Sequence, residues 1–178
     1  LNRFDVIAPD GQPVRWALNR FEDTGLTDRV YGPEMMRRAC ARAAEEGIGI
    51  YLYGSTQQVI DALRKNLAEQ FPRLEIVGAE PSVFRPLTET EDAELVKRIN
   101  DSGAGMLFVG LGCPRQEAFA AEHRHSIQAV QLCVGAAFDA DGDEWVDVLF
   151  VGDPHPALLR NTGEAQFQDV TAGSGLDG

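Results

Sequence analysis

The chain has 178 residues, of which 44% are hydrophobic and 25% charged, as is typical of a globular protein with one sizeable core. It contains no apolar run of about 18 residues, which a membrane-spanning helix requires, and no secretory leader is visible at its start. The net charge of −12 argues against a nucleic acid partner, because phosphate backbones require a basic surface. Its three cysteines lack C-x-x-C spacing, so we expect reduced thiols in a cytoplasmic protein, without a disulfide or a zinc site.

The acidic charge is concentrated toward the end of the chain. Residues 138–178 hold nine acidic residues and one arginine, a net charge of −8, which leaves −4 for the first 137 residues. A break of this kind indicates two units of different origin. We therefore expect one domain over residues 1–138 and a second, short one over residues 139–178.

Short apolar runs alternate with helical patterns over the first 137 residues. The predicted strands are residues 4–8, 48–53, 74–77, 105–109 and 129–134. The predicted helices are residues 33–46, a helix capped by Ser55 or Thr56, one that starts at the capping box of Thr88 and Glu91, and one from Pro114 to about residue 124. The strands are continuous apolar runs, as burial on both faces requires. This alternation predicts an α/β fold, a Rossmann-like parallel sheet with helices on both faces.

The pattern changes after Val134 to that of a short β-rich acidic tail. Residues 139–147 form a dense acidic loop in the sequence, and no helix is expected beyond it. Short strands are predicted over residues 146–151, 157–160 and 166–170. A turn at Asn161-Thr162-Gly163 should separate the last two of these strands.

Glycine-bearing turns follow three of the predicted strands, at the sheet edge where ligands of such folds bind. These turns are Asp10-Gly11, Gly54-Ser55-Thr56 and Gly110-Leu111-Gly112-Cys113-Pro114. Glycine lets a ligand approach the backbone closely, and a helix that starts at once directs unpaired N–H groups at it, so an anion such as a diphosphate is favoured. Arg115 could add a positive charge, and Gln116 could hydrogen-bond a sugar. The alternative is a set of tight structural turns without a ligand.

Two nucleotide-binding classes are poorly supported by these turns. The G-L-G-C-P-R segment lacks the third glycine of a dinucleotide fingerprint, which argues against a hydride-transfer enzyme. The chain contains no G-x-x-x-x-G-K-[ST] motif, which excludes a P-loop.

Asp10 is the best candidate for acid–base chemistry, because it follows an apolar run and precedes a glycine, where an exposed catalytic carboxylate belongs. The alternative for Asp10 is an ordinary Asp-Gly turn. Cys113 is a second candidate, as a nucleophile at a helix N-terminus with His123 or His125 as its partner. The alternative for Cys113 is a small buried thiol.

Residues 7–138 resemble the WecG/TagA/CpsF family of glycosyltransferases. The matching segments, in chain order, are I-A-P-D-G-Q-P-V-R-W-A (7–17), D-R-V-Y-G-P-E-M (28–35), Y-L-Y-G-S-T (51–56), F-P-R-L-E-I-V-G (71–78), M-L-F-V-G-L-G-C-P-R-Q-E (106–117) and V-G-A-A-F-D (134–139). The G-L-G-C-P-R-Q-E block is the most specific of them, and the P-D-G-Q-P block is the next.

The resemblance implies an inverting transferase that moves N-acetylmannosamine, or a related sugar, from UDP to an undecaprenyl-linked acceptor in cell-envelope polysaccharide synthesis. It implies that Asp10 is the general base, and that the core needs no metal or other cofactor, so that backbone N–H groups and Arg115 stabilise the leaving UDP. The substrate-binding residues that it implies are Gly11, Gly54, Ser55, Gly110, Gly112, Arg115, Gln116 and Glu117. A homo-oligomer at the inner face of the membrane is also implied.

The family pattern extends beyond both ends of this match. It begins with some tens of residues that include a Thr-x-Asn segment, and it continues after Phe138-Asp139 with an aromatic and arginine-rich appendage. We therefore expect the core over residues 1–138 to be incomplete at both ends, with more chain upstream of Leu1. An inactive fragment or fusion that retains only nucleotide-sugar binding is the corresponding alternative.

Residues 139–178 resemble a different family, the FG-GAP/UnbV-type repeats of integrin-like propellers. The resemblance is carried by D-A-D-G-D-E-W-V-D-V-L-F-V (139–151) and L-L-R-N-T-G-E-A-Q-F-Q-D-V-T-A-G-S-G-L (158–176). It implies calcium binding by the carboxylates of Asp139, Asp141, Asp143 and Asp147, with Glu144 where the turn glycine is expected. The alternatives are a solvated acidic tail, or a chain whose function is that of a calcium-binding adhesion module.

Overall fold

The computed structural model describes residues 4–8, 12–27, 32–138, 148–150, 157–163 and 166–169. The chain divides into two compact units, Leu1–Asp139 and Ala140–Gly178. The candidate site residues that the structure describes all lie in the first unit.

The described residues of the first unit form five α-helices and four strands. In chain order these are α1 (Gln12–Phe21), α2 (Gly32–Glu46), β1 (Ile50–Gly54), α3 (Gln57–Gln70), β2 (Ile76–Glu80), α4 (Glu89–Asp101), β3 (Met106–Gly110), α5 (Arg115–Glu122) and β4 (Val130–Cys133), followed by a 3-10 helix, Gly135–Phe138. In the second unit, β5 (Val148–Phe150), β6 (Ala157–Gly163) and β7 (Gln166–Asp169) form an antiparallel sheet in the order β5-β6-β7.

Local sequence signals explain where the helices begin and end. The Thr56 side chain accepts a hydrogen bond from the Val59 N–H and so caps α3. Thr88 and Glu91 form a complete capping box at the start of α4. Gly47 follows α2 with a φ of +67°, the left-handed conformation that ends helices at glycine.

The four strands of the first unit form one parallel sheet in the order β2-β1-β3-β4. Alternate residues of β1 and β3 face opposite sides, and each side carries its own buried cluster. On one face Leu52 and Phe108 pack with α2 and α3. On the other face Tyr53 and Val109 pack with α4 and with Phe119 of α5. The predicted α/β fold, a parallel sheet with helices on both faces, is confirmed.

Several predicted elements differ from those observed. Residues 4–8, which the structure describes, form no strand, and Val6 and Ile7 are 83% and 57% exposed, so this apolar run packs against no neighbouring strand. The helix α1 and the 3-10 helix after Val134 were not predicted. The turn predicted at Asn161-Thr162-Gly163 lies inside β6. The other strands are found within about two or three residues of their predicted bounds, as is usual for sequence-based boundaries.

Candidate functional site

The carboxyl ends of β1 and β3 meet at the centre of the sheet, where Gly54 and Gly110 lie in register. A Cβ atom on Gly54 would stand 2.3 Å from the Gly110 carbonyl oxygen, and Gly54 has a φ of +143°, so only glycine fits there. The Ser55 N–H donates to the same carbonyl oxygen at 3.1 Å. The structure thus brings two of the three predicted glycine turns together, with Gly54 and Gly110 themselves buried.

Helix N-termini converge on this edge of the sheet. Each of α3, α4 and α5 connects two parallel strands, so each starts at the carboxyl edge and runs back along the sheet. The start of α2 lies there too, because a Cβ on Gly32 would stand 2.5 Å from the carbonyl oxygen of Val134, just after β4. The partial positive charge of a helix N-terminus favours anions, so this edge is suited to a phosphate-bearing ligand.

Among the described residues, the start of α5 lacks the side-chain cap that α3 and α4 have. Thr56 caps α3, and Thr88 caps α4. Gly112, which precedes it, has a φ of +75° and accepts a hydrogen bond from the Gln116 N–H at 3.0 Å. This bond occupies the Gln116 N–H, so the first turn of α5 has its other backbone N–H groups to offer to an anion.

Two buried acceptors lie in that same turn. The Gln116 side chain is 93% buried and donates from Nε2 to Glu117 Oε1 at 2.8 Å. Among the described residues, neither Gln116 Oε1 nor Glu117 Oε2 has a hydrogen-bond partner, although both atoms are buried. A buried acceptor without a donor costs about 1–3 kcal/mol. A ligand hydroxyl or amide N–H would remove this cost.

Arg115 supplies a positive charge at the start of α5. It is exposed, and one of its N–H groups donates to the Val83 carbonyl oxygen at 3.3 Å. This bond links the start of α5 to the segment between β2 and α4. A guanidinium has five N–H donors in total and binds phosphate well, so Arg115 is suited to an anionic ligand at this edge.

Glu80, the last residue of β2, was not predicted as a site residue. Arg98 donates to both of its carboxylate oxygens, from Nε and from Nη2 at 2.9 Å, and the Tyr51 hydroxyl donates to Oε1. Burial opposes ionisation of Glu80, but the hydrogen bonds from Arg98 and Tyr51 outweigh it and lower the pKa of its carboxyl group. Burial, together with the charge of Glu80, raises the pKa of Tyr51 and Tyr53.

A cavity of about 170 Å³ lies beside Glu80, lined by Tyr53, Val83, Leu87 and Arg98 among others. In Rossmann-like folds an acidic residue at the end of the second strand binds ribose hydroxyls. The signal for Glu80 was present in the sequence, as an acidic residue at the end of the strand that follows the Gly54 turn.

Ser82 is a second residue that the sequence analysis missed. Its N–H and its Oγ donate to the Ser55 carbonyl oxygen at 3.1 and 3.3 Å. Ser55 has a φ of +52°, an uncommon conformation for a residue with a side chain. Ser82 therefore holds the turn after β1 in its conformation. No motif marks Ser82, because the contact joins residues 27 positions apart.

Some of the predicted site residues lie outside the described residues. These are Asp10 and Gly11, and the acidic residues Asp139, Asp141, Asp143 and Asp147. Within the described residues there is no group of three His, Cys, Asp or Glu side chains that could hold a metal ion.

The structure does not pair Cys113 with a histidine. Cys113 is exposed before the start of α5, while His123 is buried at its far end. His123 donates from Nδ1 to the Phe119 carbonyl oxygen at 2.8 Å, and its Nε2 lies 3.0 Å from Asp92 Oδ2. His125 lies beyond the same end of α5. The Cys–His hypothesis is therefore wrong, because the length of α5 separates the groups.

Among the helices of the described ranges, none is long and apolar enough to cross a membrane. Comparison with known proteins then identifies relatives. A 29% identity over 141 residues relates the chain to the N-acetylglucosaminyldiphosphoundecaprenol N-acetyl-beta-D-mannosaminyltransferase of Bacillus subtilis (strain 168), covering 78% of this chain and 52% of that protein. The protein of the same name from Bacillus spizizenii is 29% identical over 140 residues, with the same coverage.

The chain spans about half the length of the curated relatives that it matches. The model of the glycosyl transferase WecG/TagA/CpsF family matches residues 1–143, which include every described element of the carboxyl edge. The resemblance seen in the sequence is thereby confirmed for this part, and the chain belongs to the WecG/TagA/CpsF family of glycosyltransferases.

Proposed function

We propose that the chain binds a UDP-sugar and belongs to an inverting transferase that moves an N-acetylmannosamine-type sugar to a lipid-linked acceptor in cell-envelope polysaccharide synthesis. The names of the two Bacillus relatives support this assignment. They specify an undecaprenol-linked acceptor and the transfer of a mannosaminyl group. The observation that carries it is the first turn of α5, where uncapped backbone N–H groups stand beside the buried, unpartnered acceptors of Gln116 and Glu117.

The diphosphate, sugar and ribose of a UDP-sugar suit different positions along the carboxyl edge of the sheet. The diphosphate suits the start of α5 and the turns that follow Gly54 and Gly110, with Arg115 as its cationic partner. The sugar hydroxyls and the N-acetyl N–H suit the free oxygens of Gln116 and Glu117. The ribose suits the cavity beside Glu80.

In the proposed reaction Asp10 takes the proton of the acceptor hydroxyl. The acceptor oxygen forms a bond to the anomeric carbon, on the face opposite to UDP. The bond from that carbon to the β-phosphate oxygen breaks, and UDP leaves with the electron pair, so the configuration is inverted. Backbone N–H groups and Arg115 stabilise the charge that develops on UDP. We also propose a homo-oligomer that associates peripherally with the inner face of the membrane.

The role of Asp10 is tested by Asp10→Asn, with sugar transfer and UDP binding measured on the same preparations. We expect transfer to fall by about a hundredfold or more, because a general base contributes on that order, and UDP affinity to stay unchanged. Transfer by the variant at the rate of the unaltered chain would contradict this role. Undetectable transfer by the unaltered chain, with UDP still bound, would favour the alternative of a nucleotide-sugar-binding core without turnover.

A second function, calcium binding, is proposed for the tail. The antiparallel sheet β5-β6-β7 is an arrangement that a propeller-type repeat would contain, while the family match ends at residue 143. Calcium should raise the melting temperature of the chain, and Asp141→Ala should remove the rise. A melting temperature that does not respond to calcium would dismiss this proposal.

A further inference from the structure

Tyr53, the residue before Gly54 in β1, carries a buried hydroxyl that the fold leaves without a partner. Tyr53 is 4% exposed, and its ring packs on Phe119 with 5.2 Å between the ring centroids. Among the described residues, none forms a hydrogen bond with the Tyr53 hydroxyl. A buried tyrosine hydroxyl usually has such a partner, so this one is available to a ligand.

Tyr51, two residues earlier in β1, differs from Tyr53 in this respect. Residues i and i+2 of a strand face the same side of a sheet, and both tyrosines belong to the same buried cluster. The Tyr51 hydroxyl, however, donates to Glu80. The fold therefore satisfies Tyr51 and leaves Tyr53, which lies nearer to the carboxyl end of β1, unsatisfied.

Tyr53 borders the cavity of about 170 Å³ beside Glu80. Apolar walls of this cavity are provided by Val83, Leu87 and Leu95. The volume is that of roughly six water molecules, so it suits one small ring rather than a whole nucleotide. Apolar walls with a few polar groups are typical of a site for a small organic ligand.

The charges at this cavity favour a neutral ligand with hydroxyl groups over a cation. Arg98 pairs with Glu80 at 2.9 Å, and Arg85 pairs with Glu91 at 2.6 Å, so guanidinium groups balance two of the three glutamates that border the cavity. Glu80 accepts from three N–H and O–H groups, and a carboxylate has about four lone-pair positions, which leaves one for a ligand hydroxyl. The Tyr53 hydroxyl can donate or accept.

The cavity adjoins the position that we assign to the diphosphate. Arg115 donates to the carbonyl oxygen of Val83, which borders the cavity, at 3.3 Å. Burial raises the pKa of the Tyr53 hydroxyl, and the positive charge of Arg115 is close enough to oppose that rise. Because a ribose is joined to its diphosphate through a single CH2–O link, a ribose in the cavity and a diphosphate at Arg115 can belong to one nucleotide.

We propose that Tyr53 and Glu80 together bind the 2′- and 3′-hydroxyls of a ribose, and so select a ribonucleoside diphosphate over its deoxy analogues. The inference rests on the proposed function, which supplies the nucleotide. One ribose hydroxyl donates to Glu80, and the other pairs with the Tyr53 hydroxyl. An analogue that lacks either hydroxyl leaves a buried polar group unpaired, which is how a site of this kind rejects a ligand.

The test is calorimetric titration of the full chain with UDP, 2′-deoxy-UDP and 3′-deoxy-UDP. We expect UDP to bind about three- to tenfold more tightly than either analogue, as the loss of one hydrogen bond predicts. Tyr53→Phe should bind UDP about three- to tenfold more weakly and lose its preference over one of the two analogues. It should keep the preference over the other analogue, because Glu80 still binds that hydroxyl.

Tyr51→Phe is the matched control, since it removes a buried hydroxyl on the same side of the sheet from a residue that does not border the cavity. It should lower the melting temperature, because Glu80 loses a donor, but keep both preferences, because Arg98 still holds Glu80. Tyr53→Phe should melt at or above the temperature of the unaltered chain, because the hydroxyl that it removes has no partner. Melting without nucleotide also shows whether both variants fold.

UDP binding without a preference over either analogue would overturn the inference and leave the donor site in place. Unchanged preferences in Tyr53→Phe, or an equal loss of preference in Tyr51→Phe, would also overturn it. A melting temperature of Tyr53→Phe as low as that of Tyr51→Phe would show that the Tyr53 hydroxyl has a partner within the chain, with the same consequence. Absence of UDP binding by the unaltered chain would reject the proposed donor site and this inference with it.

Discussion

The carboxylate of Glu80 connects β2 to α4 and borders the candidate site. Glu80 ends β2, accepts from Arg98 on α4 and from Tyr51 on β1, and borders the cavity that we assign to the ribose. Because Arg98 and Tyr51 both donate to it, the carboxylate is held in one orientation. Its side chain is 28% exposed, so these hydrogen bonds are only partly screened by solvent.

Substitution Glu80→Gln should destabilise the chain by about 1–2 kcal/mol at pH 7, as expected for the loss of a partly screened charged hydrogen bond. The pKa of Glu80 is lowered by folding, so its contribution is present above the ordinary carboxyl pKa of 4.5 and is lost as the pH falls through the lowered value. The difference from the unaltered chain should therefore shrink in acid. Urea unfolding of both chains at several pH values measures this difference in the free energy of unfolding.

The control for this prediction is Glu69→Gln, an exposed glutamate on α3. It should change stability by less than about 0.5 kcal/mol at any pH, as surface substitutions generally do. A Glu80→Gln effect that is no larger than that of Glu69→Gln, or that grows in acid, would contradict the role given to Arg98 and Tyr51.

The sequence could not show the surroundings of these residues. The pattern placed Gln116 and Glu117 at a helix start, but only the structure shows that the carbonyl oxygen of one and a carboxylate oxygen of the other are buried without donors. The contacts of Ser82 with Ser55, and of Arg115 with Val83, join positions 27 and 32 residues apart. No local motif encodes such contacts, because they depend on how the strands pair.

At the scale of elements, the close approach of β1 and β3 shapes the candidate site. Gly54 and Gly110 face each other at the carboxyl ends of these strands, and no side chain fits between them. The turns after both strands lead directly into the N-termini of α3 and α5.

Gly54→Ala should destabilise the chain by about 3 kcal/mol and weaken UDP binding, because its Cβ would stand 2.3 Å from the Gly110 carbonyl oxygen at a φ of +143°. Gly103→Ala is the matched control. Gly103 has a φ of +70° but nothing within 4 Å of its Cβ position, so it should cost only about 1–2 kcal/mol. Urea unfolding compares the stability of the two variants. Equal losses of stability would show that β1 and β3 do not approach each other closely at Gly54.

The sequence was sufficient for the elements whose signals are local. The capping box at Thr88 and the stop at Gly47 marked α4 and α2 at the observed positions. The strand predicted over residues 4–8 is absent, because a short apolar run forms a strand only if a neighbouring strand or helix covers it. The start of α1 lacked such a cap signal, and its exposed aromatic face departs from the usual amphipathic pattern.

At the scale of the whole molecule, charge and fold are distributed unevenly. The four helix N-termini and Arg115 lie together at the carboxyl edge of the sheet, within a chain of net charge −12. The family match ends at residue 143, close to the boundary between the compact units Leu1–Asp139 and Ala140–Gly178. Most of the net negative charge lies beyond that boundary, away in sequence from the residues that we assign to UDP.

Calorimetric titration of the 178-residue chain with UDP tests the central claim most directly. We predict saturable binding at one site, about tenfold or more weaker in Arg115→Ala, because a charged hydrogen bond contributes about 1.5–3 kcal/mol. Arg64→Ala should bind UDP like the unaltered chain, since Arg64 lines a different cavity with Lys65 and Leu74. Absence of saturable UDP binding, or equal losses in the two arginine variants, would contradict the assignment of the carboxyl edge as a donor site.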